Sequence, residues 1–314
     1  MEWVTKTLDY RFRDRISQVR EAFKEKVKEL VEEEQIYQQD YDKTMTNDYW
    51  VEKHLEWRGG NIGKTVDGLI YAGKTIKKYR LRELKRSDFA YETYSHGAVF
   101  DYLPDVLGRK TYYLRLKYAD SSKELRAVNR QFGLFMGLRQ EEESGEQGCV
   151  MIMDMAGASL TNNVDTKLAI LNRDMSDIFP PFNVLAIAVN VPFLLRSMIK
   201  TALFLLPVDM RKGFLVLTTE ELTQIIPAEN LPDFLGGTSK RPYSGDEVVP
   251  KGTLTFKEMF DRLMVDDVDE NGNFINNRDH IGDQGMNSLV LWPKITKQNK
   301  EKLLNNLDHL YSSK

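Results

Sequence analysis

The first third of the chain places apolar residues between charged ones at the three- and four-residue steps of amphipathic helices. This spacing predicts a long helix over residues 10–39. A second helix is predicted after Asn47, whose side chain can cap it, and Gly59 and Gly60 end it. A third helix is predicted over residues 61–84. Together these segments predict a helical N-terminal lobe.

The pattern changes after residue 97 from helical spacing to short apolar runs. Residues 111–117 alternate as a half-buried strand does, and a helix is predicted over 123–139, followed by an acidic loop. Three nearly continuous apolar runs, typical of parallel strands buried on both faces, are VMIMDM (150–155), VLAIAVN (184–190) and FLVLT (214–218). Helical patterns at 163–178 and 193–206 separate these runs. The order predicts an α/β fold with a mainly parallel sheet and right-handed crossovers.

The composition becomes polar after Gly237. Residues 239–252 resemble a linker, and short helices are predicted over 256–264 and 297–310. We therefore predict three segments, which are a helical lobe at 1–95, an α/β domain at 96–240 and a polar C-terminal extension at 241–314.

Composition and charge exclude several classes of protein. The chain has 314 residues, enough for about two folding units, and its 44 basic and 47 acidic residues give a net charge of −3. No global field therefore attracts nucleic acid. Apolar residues make up 41% and prolines number 10, which is typical of a globular protein. The single cysteine, Cys149, predicts a reducing, cytoplasmic compartment, and the first residues have no apolar core of a signal peptide.

Two short motifs resemble ligand-binding loops but lack an essential element. GNIGKT (60–65) has the wrong glycine spacing for a phosphate-binding loop and follows a predicted helix, which favours a helix–helix turn. DVDENG (267–272) matches the start of a calcium loop, but Arg278 stands where a bidentate glutamate is needed. The four histidines are isolated, and no nucleophile motif frames them. The sequence therefore predicts no enzyme active site, metal or cofactor.

The basic run KKYRLRELKR (77–86) carries six cations against Glu83 alone. Two interpretations stay open. The run can dock on anionic lipid headgroups, at about 1 kcal/mol per residue, or its cations can simply favour a helix C-terminus. The most apolar stretch, 183–210, predicts no uninterrupted membrane span because it is broken by Asn190, Pro192, Arg196, Lys200 and Pro207.

Four ordered segments resemble the CRAL-TRIO family of lipid-binding domains: MIMDMAGASL (151–160), VNVPFLL (189–195), DMRKGFLVL (209–217) and IPAENLPDFLGG (226–237). The helical start, including HLEWRGGNI, is similar to the family's N-terminal lobe, so the resemblance spans residues 15–240. It implies a parallel sheet that forms the floor of an apolar pocket, with a mobile amphipathic helix as its gate.

The resemblance also implies a set of site residues, for which plain core packing is the alternative. The floor of the pocket is expected to include Met151, Met153, Leu185, Ile187, Val189, Phe214 and Val216. The gate follows Pro192 and is expected to include Phe193, Leu194, Met198, Leu203 and Phe204. Sequence does not decide which face of each strand points into the pocket.

Headgroup recognition is carried over only in part. Arg58 and Lys212 match two of the four residues with which the family binds inositol phosphate, whereas Gly59 and Pro181 replace the other two. Cys149 and Met151 stand where phosphatidylcholine-binding members have small hydroxyl residues, and they cannot donate comparable hydrogen bonds.

These observations predict a soluble carrier that sequesters one lipophilic molecule, such as a phosphoinositide, and exchanges it with membranes. It would be cytoplasmic and peripherally membrane-associated, with no nucleic acid partner. The alternative is an interaction or membrane-docking module of the same fold without transfer activity.

Overall fold

The computed structural model describes residues 11–118, 124–157, 175–180, 183–193, 195–196, 199, 213–263, 289–293 and 295–312. Within these residues it forms a mixed α/β fold with a helical N-terminal lobe, a five-stranded sheet and a C-terminal segment that contains two helices. In the part of the chain described, none of the helices combines the length and the apolar character needed to cross a bilayer.

Four helices build the N-terminal lobe: α1 (Ile16–Glu32), α2 (Gln38–Thr46), α3 (Asp48–Trp57) and α4 (Ile62–Lys78). The predicted cap at Asn47 is confirmed, and a second cap is found at Asn61. The side chain of Asn47 accepts a hydrogen bond from the Trp50 backbone N–H at 2.9 Å, and Asn61 caps α4 in the same way. The turn between α3 and α4 passes through Gly59 and Gly60, both with positive φ, so GNIGKT is a helix–helix turn as predicted.

Two predicted helices are shorter than their apolar patterns. The helix predicted over 10–39 is interrupted after Glu32, where Glu34 has a φ of 57°, and α2 starts anew at Gln38. The helix predicted over 61–84 ends at Lys78, and Arg80 has a φ of 52°. The pattern misleads here because residues beyond a helix end, such as Leu81, are buried without being helical.

The sheet has the strand order β1-β2-β3-β4-β5. The strands are β1 (Val99–Tyr102), β2 (Lys110–Arg115), β3 (Cys149–Asp154), β4 (Asn183–Val189) and β5 (Phe214–Val216). Strand β1 pairs antiparallel with β2, and the other three pairings are parallel. The three parallel strands predicted from continuous apolar runs are confirmed. Strand β1 was not predicted because four residues are too few to show alternation.

A short helix, α5 (Tyr91–Ser95), precedes the sheet, and α6 (Arg126–Ser144) connects β2 to β3. The acidic loop predicted after residue 139 is wrong in its first part, because α6 continues through the glutamates to Ser144. The helix continues because its glutamates contact distant parts of the chain. Glu141 is only 2% exposed and forms ion pairs with Lys43 of α2 and with Lys53 of α3, at 2.9 Å for the second.

The C-terminal segment packs into the same core as the lobe. After the short helix α7 (Thr219–Leu222) come α8 (Phe256–Leu263) and α9 (Lys297–Ser312), close to the predicted helices. One hydrophobic cluster contains side chains of α1, α4, α6, α8 and α9. Gln131 of α6 is fully buried and bonds the carbonyls of Tyr79 and Leu289 and the N–H of Leu291. The segment predicted as a polar extension therefore contributes buried apolar residues.

Candidate functional site

One face of the sheet is closed by the chain that follows β5. This packed face carries Val150, Ile152, Leu185, Ile187 and Val189, and all five side chains are fully buried. They share a hydrophobic cluster with residues of the segment 222–235, namely Leu222, Ile225, Ile226, Leu231 and Leu235. This face is therefore ordinary protein core.

The opposite face is apolar but less covered. Register places Leu114, Met151, Ala186 and Phe214 on four neighbouring strands with their side chains on this side, and Met153 joins them. All five are half-buried, and Val216 at the edge strand is 43% exposed. We call this surface the open face. It offers a flat wall of hydrocarbon and thioether groups.

Both ends of the open face are covered. At the end where the parallel strands begin, Tyr112 and Cys149 are buried in the cluster that also holds Phe135 and Leu138 of α6. At the other end Ala188 is buried in a small cluster that includes Val191 and Leu195. Met151, Ala186 and Phe214 thus lie between two covered regions, and Met153 is level with Ala188.

The predicted floor residues do not share one surface. Met151, Met153, Phe214 and Val216 lie on the open face, whereas Leu185, Ile187 and Val189 lie on the packed face. The last three are fully buried on the side opposite Met151, because successive strand residues point to opposite sides. Sequence reasoning also missed Leu114 and Ala186. Had the strand register been known, the pairing of Ala186 with Met151 would have placed Ala186 on the same face.

The stretch after Pro192 begins at the covered end of the open face. Leu195 is 3% exposed and belongs, with Ile199, to the cluster that contains Met153 and Phe214. Phe193 points the other way and is 84% exposed. The remaining predicted gate residues, Leu194, Met198, Leu203 and Phe204, lie outside the described residues or have side chains outside them.

Polar groups fix the point where this stretch leaves β4. The side chain of Asn190, which has a φ of 53°, donates to Asp154 Oδ1 at 2.9 Å. The same oxygen accepts the backbone N–H of Ala156 at 3.1 Å, and Arg115 Nε lies 3.8 Å from the other carboxylate oxygen. Asp154 is thus a buried acceptor that joins the ends of two strands.

The two predicted headgroup residues differ in what the structure describes. Lys212 and Pro181 lie outside the described residues. The guanidinium of Arg58 is 3.2 Å from His54 Nδ1 and donates to the backbone carbonyl of Asp177 at 3.1 Å. Arg58 therefore joins α3 to the segment before β4, a structural role that its position in the sequence did not reveal.

Cys149 lies at the start of β3 and is fully buried. Burial raises the pKa of its thiol to about 12, so the thiol stays protonated at neutral pH. A buried neutral thiol is a weak hydrogen-bond donor. The geometry therefore offers no reactive thiolate and no strong headgroup contact at this position.

The basic run at 77–86 is largely engaged within the protein. Five of its six cations contact acidic or aromatic side chains: Lys77 with Tyr37, Lys78 with Tyr79, Arg80 with Glu83, Arg82 with Asp40 and Glu142, and Arg86 with Tyr94. These contacts favour the structural interpretation of the run over a headgroup-binding one.

The α/β domain thus has a mainly parallel sheet with one closed face and one half-covered apolar face. Residues 94–237 match the family model of the CRAL/TRIO domain. This segment is therefore similar to CRAL-TRIO domains, which are generally lipid-binding carriers rather than enzymes. Among solved structures, the crystal structure of Sfh5 is similar at 17% sequence identity, with 76% of this chain and 92% of that chain covered and a TM-score of 0.49.

Proposed function

We propose that this protein carries one lipophilic molecule, a phospholipid, and exchanges it with membranes. The observation that supports this most directly is the contrast between the two faces of the sheet. Leu185 and Ile187 are fully buried by the chain's own residues, whereas Met151 and Met153 on the other side are only half-buried. Lipid hydrocarbon packed against the open face would complete the burial.

The energetics of lipid exchange require an apolar surface such as the open face. A lipid with about 30 methylenes gains about 24 kcal/mol by leaving water, at about 0.8 kcal/mol each, and it gains the same in a bilayer. A carrier must therefore be as apolar as the membrane, so that chains slide between two similar environments. The described side chains of the open face are all apolar, and its two methionines adapt to acyl chains of different shape.

The stretch after Pro192 is our proposed gate. Its described part supports this role in two ways. Leu195 and Ile199 cluster with the open-face residues Met153 and Phe214, so movement of this stretch would uncover the wall. Phe193 exposes its ring to water and would gain by entering a bilayer.

For the headgroup we propose an anionic phospholipid, such as a phosphoinositide, recognised by Lys212. The support is the family match over residues 94–237, which includes this position, and not an observed contact. We propose Arg58 as a second headgroup contact, in addition to its bond with the Asp177 carbonyl.

We also propose the three-part division of the chain at residues 95 and 240, a cytoplasmic location and peripheral association with membranes.

The test is extraction of the purified protein with organic solvent, followed by mass spectrometry of the extract. We expect about one lipid per chain. The competing hypothesis is a docking module of the same fold whose pocket is empty, and it predicts no stoichiometric lipid. An empty protein with the open face filled by its own side chains would contradict the carrier.

A further inference from the structure

The loop that joins β1 to β2 exposes apolar side chains to water. Val106 is 46% exposed and Leu107 is 47% exposed, and Pro104 beside them is exposed as well. Across the residues that the structure describes, Val106 and Leu107 are the one adjacent pair among the exposed large hydrophobic residues. Single exposed apolar residues are normal on protein surfaces, whereas grouped ones mark contact sites.

The loop is held rigidly in this shape. Asp105 and Arg109 are each only 4% exposed, and the guanidinium of Arg109 donates to Asp105 Oδ2 through Nε at 2.7 Å and lies 2.6 Å away through Nη2. The loop is also fixed to the segment that closes the packed face, since Asn230 Nδ2 donates to the Pro104 carbonyl at 2.8 Å. The apolar tip is therefore a built feature rather than the end of a loose loop.

The backbone donors of the loop are all satisfied. Asp105 N–H donates to the Arg109 carbonyl at 3.0 Å, and Val106 N–H donates to the Ile225 carbonyl at 2.9 Å. Gly108 N–H donates to the Asp105 carbonyl at 3.0 Å. The Asp105 carboxylate accepts the N–H groups of Leu107 and Arg109 at 2.9 and 2.8 Å. Proline has no N–H, so residues 104–109 can leave water without stranding a donor, which would be very costly in hydrocarbon.

These properties fit a lipid surface better than a protein partner. A specific protein interface buries about 800 Å² on each side and uses about 20–30 residues, far more than three side chains supply. Shallow insertion into a bilayer needs only a few apolar residues with satisfied backbone groups. Lys110, whose side chain is 46% exposed, follows the tip at a position suited to the headgroup region.

We propose that the β1–β2 tip, formed by Pro104, Val106 and Leu107, inserts into the outer part of a lipid bilayer and holds the protein on the membrane. The inference rests on the proposed function in one respect, because exchange of a lipid requires an encounter with a membrane. It adds a second membrane contact, separate from the stretch after Pro192.

The first experiment uses the cysteine content of the chain. Cys149 is the one cysteine in the sequence and is fully buried, so a Leu107→Cys variant can be labelled at the tip with an environment-sensitive fluorophore. With phosphatidylcholine vesicles we expect a blue shift and higher emission. The matched control is Tyr71→Cys on α4, a position of similar exposure at 44%, where we expect no change.

The second experiment removes the apolar groups. The double variant Val106→Ser/Leu107→Ser should partition onto phosphatidylcholine vesicles about tenfold more weakly, because the loss of two inserted side chains removes at least that much affinity. Tyr71→Ser should bind vesicles as the wild type does. Unfolding temperatures close to wild type show that both variants are folded. Unchanged vesicle binding, or a fluorophore at 107 that responds to protein concentration but not to vesicles, overturns the inference.

Mass spectrometry of bound lipid separates this inference from the carrier proposal. A double variant that retains its bound lipid but loses vesicle affinity supports the tip as a membrane contact. A wild-type protein that holds no lipid contradicts the carrier, while a vesicle-dependent shift at 107 in the same protein would still support insertion.

Discussion

On one side of the sheet, Ile152 and Ile187 are completely covered by the chain that follows β5, while on the other side Met151 and Met153 remain half-buried. The same two strands supply all four residues, so the difference does not come from composition. It comes from what each face packs against. A parallel sheet needs both faces covered. Under the proposed function, a ligand would pack against the part of the open face that the protein leaves half-covered.

The largest effect is expected from the ion pairs that hold α6 over one end of the open face. Glu141→Gln would leave the buried amine of Lys53 and the partly buried amine of Lys43 without their shared carboxylate. Breaking a buried pair in this way costs about 3–5 kcal/mol of unfolding free energy. Urea denaturation measures it. Glu143→Gln is the control, because Glu143 pairs at the surface with Lys110 and Arg139 and should cost less than about 1 kcal/mol.

The next test compares the two faces directly. Ile187→Ala on the packed face should destabilise the protein by about 2–5 kcal/mol, because it leaves a cavity among fully buried neighbours. Met153→Ala on the open face should cost clearly less in lipid-free protein, since its side chain is already half-exposed. Equal losses in urea unfolding would show that both faces are plain core.

Filling the open face should displace the ligand without unfolding the protein. Ala186 lies on this face between Met151 and Phe214, so Ala186→Trp places an indole where we expect acyl chains. We expect bound lipid, measured by mass spectrometry, to fall about tenfold, as the loss of about 1.4 kcal/mol would give. Ala127→Trp at an exposed position of α6 is the control. A full lipid content in the Ala186→Trp variant would contradict the binding of acyl chains at the open face.

A smaller effect is expected at the headgroup. Lys212→Ala should weaken binding of an anionic phospholipid by about tenfold or less and leave a neutral one nearly unchanged, since one charge-assisted contact is worth about 1.5 kcal/mol. Competition between the two lipids for the purified protein measures the difference. Equal loss for both lipids would exclude Lys212 as a headgroup contact.

A separate effect is a pH dependence of stability near the covered end of the open face. Burial lowers the pKa of Lys53 from 10.5 to about 8, although Glu141 opposes this. Between pH 8 and 10.5 the unfolded chain therefore binds more protons at this residue than the folded protein, so its contribution to stability rises with pH. Lys53→Met should flatten the stability profile in this window. An identical slope in both proteins would contradict the lowered pKa.

The helical lobe and the three parallel strands were predictable because each follows from a local pattern. The step of three or four residues predicted α1, α3 and α4, and Asn47 was predicted as a cap because capping is a contact within one turn. The continuous apolar runs predicted β3, β4 and β5 for a similar reason, since burial on both faces removes the alternation.

The same continuous apolar runs made it impossible to predict which strand residues form the open face. When every residue of a strand is apolar, the sequence carries no sign of which side meets the core, so Leu185 and Met151 look equivalent. The structural contacts of Arg58 and Glu141 were not predicted for a related reason. Their partners, the Asp177 carbonyl and Lys53, lie far away in the chain.

By itself, the sequence determined the order of elements, the CRAL-TRIO resemblance and the apolar character of the strands. Only the tertiary structure decided that Met151, Met153 and Phe214 share an incompletely covered face while Leu185, Ile187 and Val189 are core. It also decided that the segment after residue 240 packs against the lobe. The physical reason is that local patterns report how much a residue avoids water, whereas the partner that keeps water away is set by contacts between distant parts of the chain.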